Sequence, residues 1–109
     1  MEVDLHTVDA HGIRLAITEN NVEVGRAFVY FMHNDLHDQP FALMEDVYVN
    51  EEFRGKGLGS DLVRQVIQLA QDANCYKLIA TSRDSRPKVH TLYRQLGFTQ
   101  RGLEFRMDF

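Results

Sequence analysis

The residues best suited to chemistry lie in one short run, Arg54-Gly55-Lys56-Gly57-Leu58-Gly59-Ser60. Glycines at alternate positions let the backbone curl, so that successive N–H groups point into one concavity. A helix starting behind such a turn adds unpaired N–H donors and about half a positive charge from its macrodipole. Arg54 and Lys56 place mobile positive charge at the mouth. This arrangement suits an anion, and a diphosphate is its natural guest. Three other readings of these glycines compete. A plain strand-to-helix connection would also be rich in glycine. The phosphate loop of nucleotide hydrolases needs G-x-x-x-x-G-K-[ST], but Gly55-Lys56 is followed by Gly57. The dinucleotide fingerprint G-x-G-x-x-G needs a wider spacing than Gly55-Gly57-Gly59, and an acidic residue where Thr81-Ser82 stand.

Other reactive side chains are scattered. Glu45 and Asp46 are adjacent on an expected strand and should point to opposite faces. His33 and His37 lie four apart in a polar loop with Asp35 and Asp38. No Glu completes a zinc-protease pattern there, so no metal site is expected. His6, His11 and His90 have no evident partners in sequence. Cys75 is the only cysteine, so no internal disulfide is expected, and its apolar setting reads as an inert, buried thiol. On residue type alone, Tyr93 is a ring packed in a core.

The elements that would position these groups follow from periodicity. Val3, Leu5 and Thr7 alternate, and His11-Gly12 marks a turn. Ile13, Leu15 and Ile17 alternate again, and Glu19-Asn20-Asn21 is a second turn. Val22–Met32 is a longer strand, with Val24, Phe28, Tyr30 and Met32 expected on one face. His33–Pro40 is a loop and Phe41–Val49 a fourth strand, which completes an antiparallel meander. From about Ser60 the period becomes helical, with Leu62, Val63, Val66, Ile67, Leu69 and Ala70 on one stripe and Asn74 as its stop. Tyr76–Thr81 is a short strand. Pro87 opens a second helix, Gly97 ends it, and Val89, Leu92, Tyr93 and Leu96 form its inner face. Phe98–Phe109 should close the sheet as one or two strands. The order β-β-β-β-α-β-α-β predicts an α+β fold, a mostly antiparallel sheet with two main helices.

Composition fits one soluble domain over residues 1–109: 44% of residues are hydrophobic and 26% charged. The net charge is −4 and no basic face is visible, so neither nucleic acid nor a membrane surface is an expected partner. No apolar run approaches the roughly 18 residues of a membrane span. The opening MEVDLHTVD lacks the basic and apolar regions of a signal peptide, so a cytoplasmic location is expected.

Two segments carry a family resemblance. Arg54-Gly55-Lys56-Gly57-Leu58-Gly59 resembles the R/Q-x-x-G-x-G/A motif of the GNAT N-acetyltransferase superfamily, and MEDVYVNEEFRGKGLGS is similar to that family's fourth strand and loop. Further on, HTLYRQLGF, His90 to Phe98, resembles the family's tyrosine-bearing helix and the strand after it. The resemblance spans Phe41 to Phe98. It implies a GNAT-like fold with acetyl-CoA as co-substrate and no metal. The coenzyme A pyrophosphate would be held at Arg54, Gly55, Lys56, Gly57, Leu58, Gly59 and Ser60. The pantetheine arm would lie along the backbone of Val47, Tyr48 and Val49. Tyr93 would stand as the acid beside the departing thiolate, and Glu45 as the base, as in diamine acetyltransferases. Arg86 takes the place of an Asn that many relatives carry near the cofactor, and could reach a phosphate. His90 could face the acceptor.

The resemblance further implies transfer of acetyl to a primary amine of a small molecule. The segments look most like those of glucosamine-6-phosphate, aminoalkylphosphonate and diamine acetyltransferases. A protein or peptide N-acetyltransferase and a non-catalytic coenzyme-A-binding module are the alternatives. Family members usually insert one or two helices between the first two strands, whereas here only Asp9 to Gly12 would separate them. An open acceptor groove is therefore expected, completed by a second subunit in a homodimer.

Overall fold

A computed structural model describes all 109 residues. Four strands form one sheet in the order β1-β2-β3-β4. β1 (Ala10–Glu19), β2 (Val22–Met32) and β3 (Phe41–Val49) form an antiparallel meander. A single-turn 3-10 helix (Glu51–Phe53) and the glycine turn lead into α1 (Leu58–Asp72). β4 (Leu78–Ala80) pairs parallel to β3, and α2 (Pro87–Gln95) follows. The expected α+β architecture of a mostly antiparallel sheet with two main helices is therefore present.

The core has one layer boundary. Ala27, Val29, Phe31, Ala42 and Met44 of the sheet meet Leu62, Val63, Val66 and Ala70 of α1, each buried. This is the helical stripe that the sequence marks, and Ile67 and Leu69 flank it half-buried. Both helices stop in the same way. Asn74 (φ 59°) follows α1, with Cys75 N–H bonded to Ala70 and Asn74 N–H to Gln71. Gly97 (φ 104°) follows α2, with Phe98 N–H bonded to Tyr93 and Gly97 N–H to Arg94. Each is a Schellman stop, which needs one residue in the left-handed region.

Several expectations fail for identifiable reasons. The strand over Val3–Thr7 does not form: residues 1–9 pair with nothing, and Leu5 is 89% exposed. His11-Gly12 is not a turn but part of β1. Gly12 lets the Tyr30 ring on the neighbouring strand lie over it, since a Cβ would stand 2.8 Å from that ring and displace it. With no earlier strand, the meander has three members, and Asp9 to Gly12 separates no pair of strands. No helix lies before Leu58 apart from the 3-10 turn. Phe98–Phe109 forms no strand either. The turn at Asn20-Asn21 does form, with φ values of 50° and 64°, the two left-handed residues of a tight hairpin.

Two bulges reset the faces. On β2, the pairing skips Val24, since Ile17 faces Gly25 and Thr18 faces Glu23. Val24 is therefore buried, as are Ala27, Val29 and Phe31, while Phe28, Tyr30 and Met32 face the other way. On β3, Phe28 faces Glu45 but Arg26 faces Tyr48, which leaves an extra residue at Asp46–Val47. Asp46 takes φ 51°. The core-facing set accordingly changes from Ala42 and Met44 to Val47 and Val49. The bulge breaks the simple alternation assumed for Glu45 and Asp46: Glu45 is half-buried and Asp46 exposed.

Candidate functional site

The sequence places the glycine turn between the end of β3 and the start of α1, and the geometry there is that of an anion cradle. Gly55 (φ 81°) and Gly57 (φ 83°) are both left-handed, and Gly57 caps α1 with no side-chain hydrogen bond. A Cβ at either position would meet nothing within 4 Å, so conformation rather than space demands glycine. The first amide of this stretch with a backbone acceptor is that of Asp61, which donates to the Gly57 carbonyl at 3.0 Å. The N–H groups of Gly55, Lys56, Gly57, Leu58, Gly59 and Ser60 have no acceptor within the protein. Six consecutive unpaired amides at a helix start, in a partly exposed turn, are ready donors to phosphate oxygens.

The flanking charges are less mobile than the sequence implies. Arg54 Nε donates to the Val49 carbonyl at 2.8 Å, and its guanidinium lies 5.3 Å from the Tyr48 ring centre. Arg26 approaches the same ring at 4.9 Å. Lys56 Nζ lies 5.1 Å from the Phe53 ring centre. Arg54 thus braces the turn against the strand, leaving its terminal amino groups without a protein partner.

β3 and β4 separate where the site needs room. Their parallel pairing covers only Ala42 to Met44 against Leu78 to Ala80. Beyond Met44, the edge of β3 toward β4 is free through Val47, Tyr48 and Val49, while the opposite edge remains on β2. An extended, amide-bearing chain can use such an edge as a strand would.

Tyr93 is fixed by the way α2 ends. It supplies the carbonyl that receives Phe98 N–H, and its ring packs on Phe98 with centroids 5.3 Å apart. Its phenol is half-buried. Burial pushes its pKa above the ordinary tyrosine value, Arg86 pulls it back, and Glu45 raises it. The phenol is therefore protonated at neutral pH and within electrostatic reach of both charges. Arg86 is the exposed N-cap residue of α2, with its carbonyl receiving the amides of Val89 and His90. Tyr93, Glu45 and Arg86 are brought together in this sense. The glycine turn forms a separate pole, joined to them by the free edge of β3.

Tyr93 also lines an open groove of about 1520 Å³, together with His90, Ser82 and Ile79. His90 Nε2 lies 2.8 Å from the Arg83 carbonyl and ties α2 to the loop after β4. Ser82 was not singled out by sequence, yet its hydroxyl is buried with no hydrogen-bond partner. Its place two residues after β4 was the only available signal. Three of the remaining histidines are engaged elsewhere, His33 with the Asp38 carbonyl, His37 stacked on Tyr76 and His11 on Phe31, while His6 is exposed in the segment before β1. No three His, Cys, Asp or Glu side chains gather to hold a metal. Cys75 is only half-buried, and burial raises its thiol pKa.

The chain matches the acetyltransferase (GNAT) family over residues 3–98. It belongs to that family. Among curated relatives, a probable glucosamine 6-phosphate N-acetyltransferase 2 of Oryza sativa subsp. japonica is 36% identical over 66 residues, covering 61% of this chain and 38% of that protein. An aminoglycoside N(6')-acetyltransferase type 1 of Stenotrophomonas maltophilia is 32% identical over 97% of this chain and 73% of its own length. A solved structure of a putative acetyltransferase from Agrobacterium tumefaciens superposes with a TM-score of 0.79 at 34% identity, covering 86% of this chain and 66% of that one. The GNAT chain thus spans about two-fifths of the rice relative and nearly three-quarters of the Stenotrophomonas one. No helix in it is long and apolar enough to cross a membrane.

Proposed function

We propose that this GNAT-family chain transfers acetyl from acetyl-CoA to the primary amine of a small molecule. The observation that carries the proposal is the run of six unpaired amides from Gly55 to Ser60. A diphosphate would satisfy them, with Arg54 and Lys56 adding charge. Val47, Tyr48 and Val49 offer a free strand edge for the pantetheine arm, and Arg86 supplies a further cation at the start of α2. The acceptor class draws support from relatives named as acetyltransferases of glucosamine 6-phosphate, thialysine and aminoglycosides.

Acetyl-CoA supplies an acetyl group activated as a thioester. Glu45 receives a proton from the acceptor ammonium, directly or through water, so that a neutral amine can attack. Tyr93, protonated at neutral pH, gives its proton to the sulfur as the C–S bond breaks, and solvent reprotonates the phenolate. Calorimetric titration with acetyl-CoA, followed by thiol release over a panel of amino sugars, diamines and peptides, tests the proposal. Absence of binding sinks it. Binding without turnover on any amine leaves only a coenzyme-A-binding module, and turnover on peptides alone overturns the small-molecule reading.

A further inference from the structure

On the sheet face turned away from α1, two side chains of opposite charge are neighbours and neither is paired. Along β2, Ala27, Val29 and Phe31 are buried in the core, so Arg26, Phe28 and Tyr30 project to the other side. Across the strand pair, Phe28 faces Glu45 and Arg26 faces Tyr48. Glu45 and Arg26 are therefore diagonal neighbours on that outer face, and both are half-buried. The three ion pairs of the chain are Arg14–Glu23, Arg64–Asp61 and Arg106–Asp108. The arginines whose side chains donate hydrogen bonds are Arg14, Arg54, Arg64, Arg94 and Arg106. Arg26 is in neither set, and neither is the Glu45 carboxylate an acceptor in either.

The bulge on β3 keeps these two charges apart. One residue separates Arg26 from Phe28 on β2, whereas two, Asp46 and Val47, separate Glu45 from Tyr48 on β3. The extra residue carries Tyr48 further along the strand. The Arg26 guanidinium goes with it, 4.9 Å from the ring centre. Arg54 lies over the same ring but is tied to the Val49 carbonyl, and Arg14, 5.7 Å from the Phe28 ring centre, is paired with Glu23. Of the three arginines that meet these rings, Arg26 alone has every guanidinium N–H without a protein acceptor. Stacking on an aromatic plane holds its fork in place, with the donors left for an oxyanion.

We infer that the acceptor is a small molecule carrying both a primary amine and an anionic group, phosphate or carboxylate, with Arg26 reading the anion and Glu45 taking the ammonium. The inference rests on the acetyl-transfer reading and narrows its acceptor. Glu45 is the carboxylate whose charge reaches the Tyr93 phenol, so an ammonium held there stands at the reacting end. Diagonal neighbours across a strand pair are about 7–8 Å apart, and the bulge adds to this. The two groups of the acceptor are therefore separated by several bonds, with Phe28 on the floor between them. A diamine would set its second cation against Arg26, and an uncharged amine would leave the guanidinium unpaired. Both are rejected relative to the anionic amine.

Equilibrium titration in the presence of coenzyme A, where no turnover occurs, compares matched amines. Glucosamine 6-phosphate against glucosamine reads a phosphate, and γ-aminobutyrate against butylamine reads a carboxylate. In at least one pair the anionic member should bind about tenfold more tightly or better, the scale of a hydrogen bond to a charged group. Arg26→Ala should bring the members of that pair level, Arg26→Glu should reverse their order, and Arg26→Lys should keep part of the preference. Circular dichroism checks that each variant keeps its fold. Calorimetry with acetyl-CoA runs beside these titrations. A loss of coenzyme affinity in Arg26→Ala as large as its loss for the acceptor would assign the guanidinium to the coenzyme and overturn the inference. Equal affinities within both pairs, no binding by any of the four amines, or a preference that survives Arg26→Ala and Arg26→Glu also overturns it. Acetyl transfer to uncharged amines without preference defeats this inference and leaves acetyl transfer standing; selective binding of an anionic amine without turnover does the reverse.

Discussion

The Nε–H of Arg54 donates to the carbonyl of Val49 at 2.8 Å, fastening the residue that opens the glycine turn to the last residue of β3. The contact fixes the entry of a segment whose own amides are unpaired, so its value lies in preorganisation. Arg54→Ala should weaken acetyl-CoA binding by about 1 kcal/mol, roughly fivefold, the net worth of an exposed hydrogen bond. Melting temperature should change little. Calorimetry on the variant checks this, and an unaltered affinity would show that the turn holds its shape unaided.

The glycines of the turn should not respond alike. Gly57→Ala forces a Cβ into φ 83°, at a cost of about 1–2 kcal/mol. Gly59 lies in the first turn of α1, where a Cβ would make ordinary contact with Val49 Cγ2 at 3.9 Å. Gly59→Ala should therefore be neutral, or stabilise the helix by about 0.5–1 kcal/mol. Thermal unfolding of the two variants side by side tests the contrast; equal losses would contradict it.

Much of this architecture is legible in sequence, and what was missed has physical causes. The α1 stripe and the Asn20-Asn21 hairpin are local signals, so they survive into the structure. Gly12 was misread because a glycine in a turn and a glycine under a ring look the same until Tyr30, eighteen positions away, is seen to cover it. The bulges at Val24 and Asp46 escaped because alternation assumes an unbroken period. Phe98–Phe109 is expected to close the sheet but forms no strand, because the edge such a strand would need is not encoded in the segment. The site divides in the same way: the glycine turn is local and readable, whereas Ser82 becomes notable only when its hydroxyl is found buried without a partner.

Tyr93→Phe removes the phenol and keeps the ring on Phe98. General acids contribute about 10²–10⁴-fold, so kcat should fall at least a hundredfold with acetyl-CoA affinity nearly intact. An unchanged rate removes Tyr93 from the mechanism. Stability offers a second readout. The folded phenol holds its proton to a higher pH than the unfolded one, which ionises near 10. Above about pH 10 the unfolded chain binds fewer protons, so stability falls as pH rises; below it there is no effect. The variant should lose this alkaline decline. Melting curves from pH 8 to 11 check it, and an equally steep decline in the variant would falsify the assignment.

Asp46 tests the bulge that opens the edge of β3. At φ 51° an aspartate is tolerated, but a β-branched side chain is not. Asp46→Gly should leave the fold intact and stabilise it slightly, since glycine adopts this conformation without a Cβ clash. Asp46→Val should cost about 1–3 kcal/mol, because the strain must be stored or the bulge erased. Erasing it would shift the strand by one residue and turn Val47 and Val49 away from α1, spoiling both the core contact and the free edge that separates from β4. Affinity for acetyl-CoA should therefore fall more in Asp46→Val than its loss of stability alone explains, while Asp46→Gly binds normally. If the two variants bind equally well at a temperature where both are folded, the bulge plays no part in shaping the cleft.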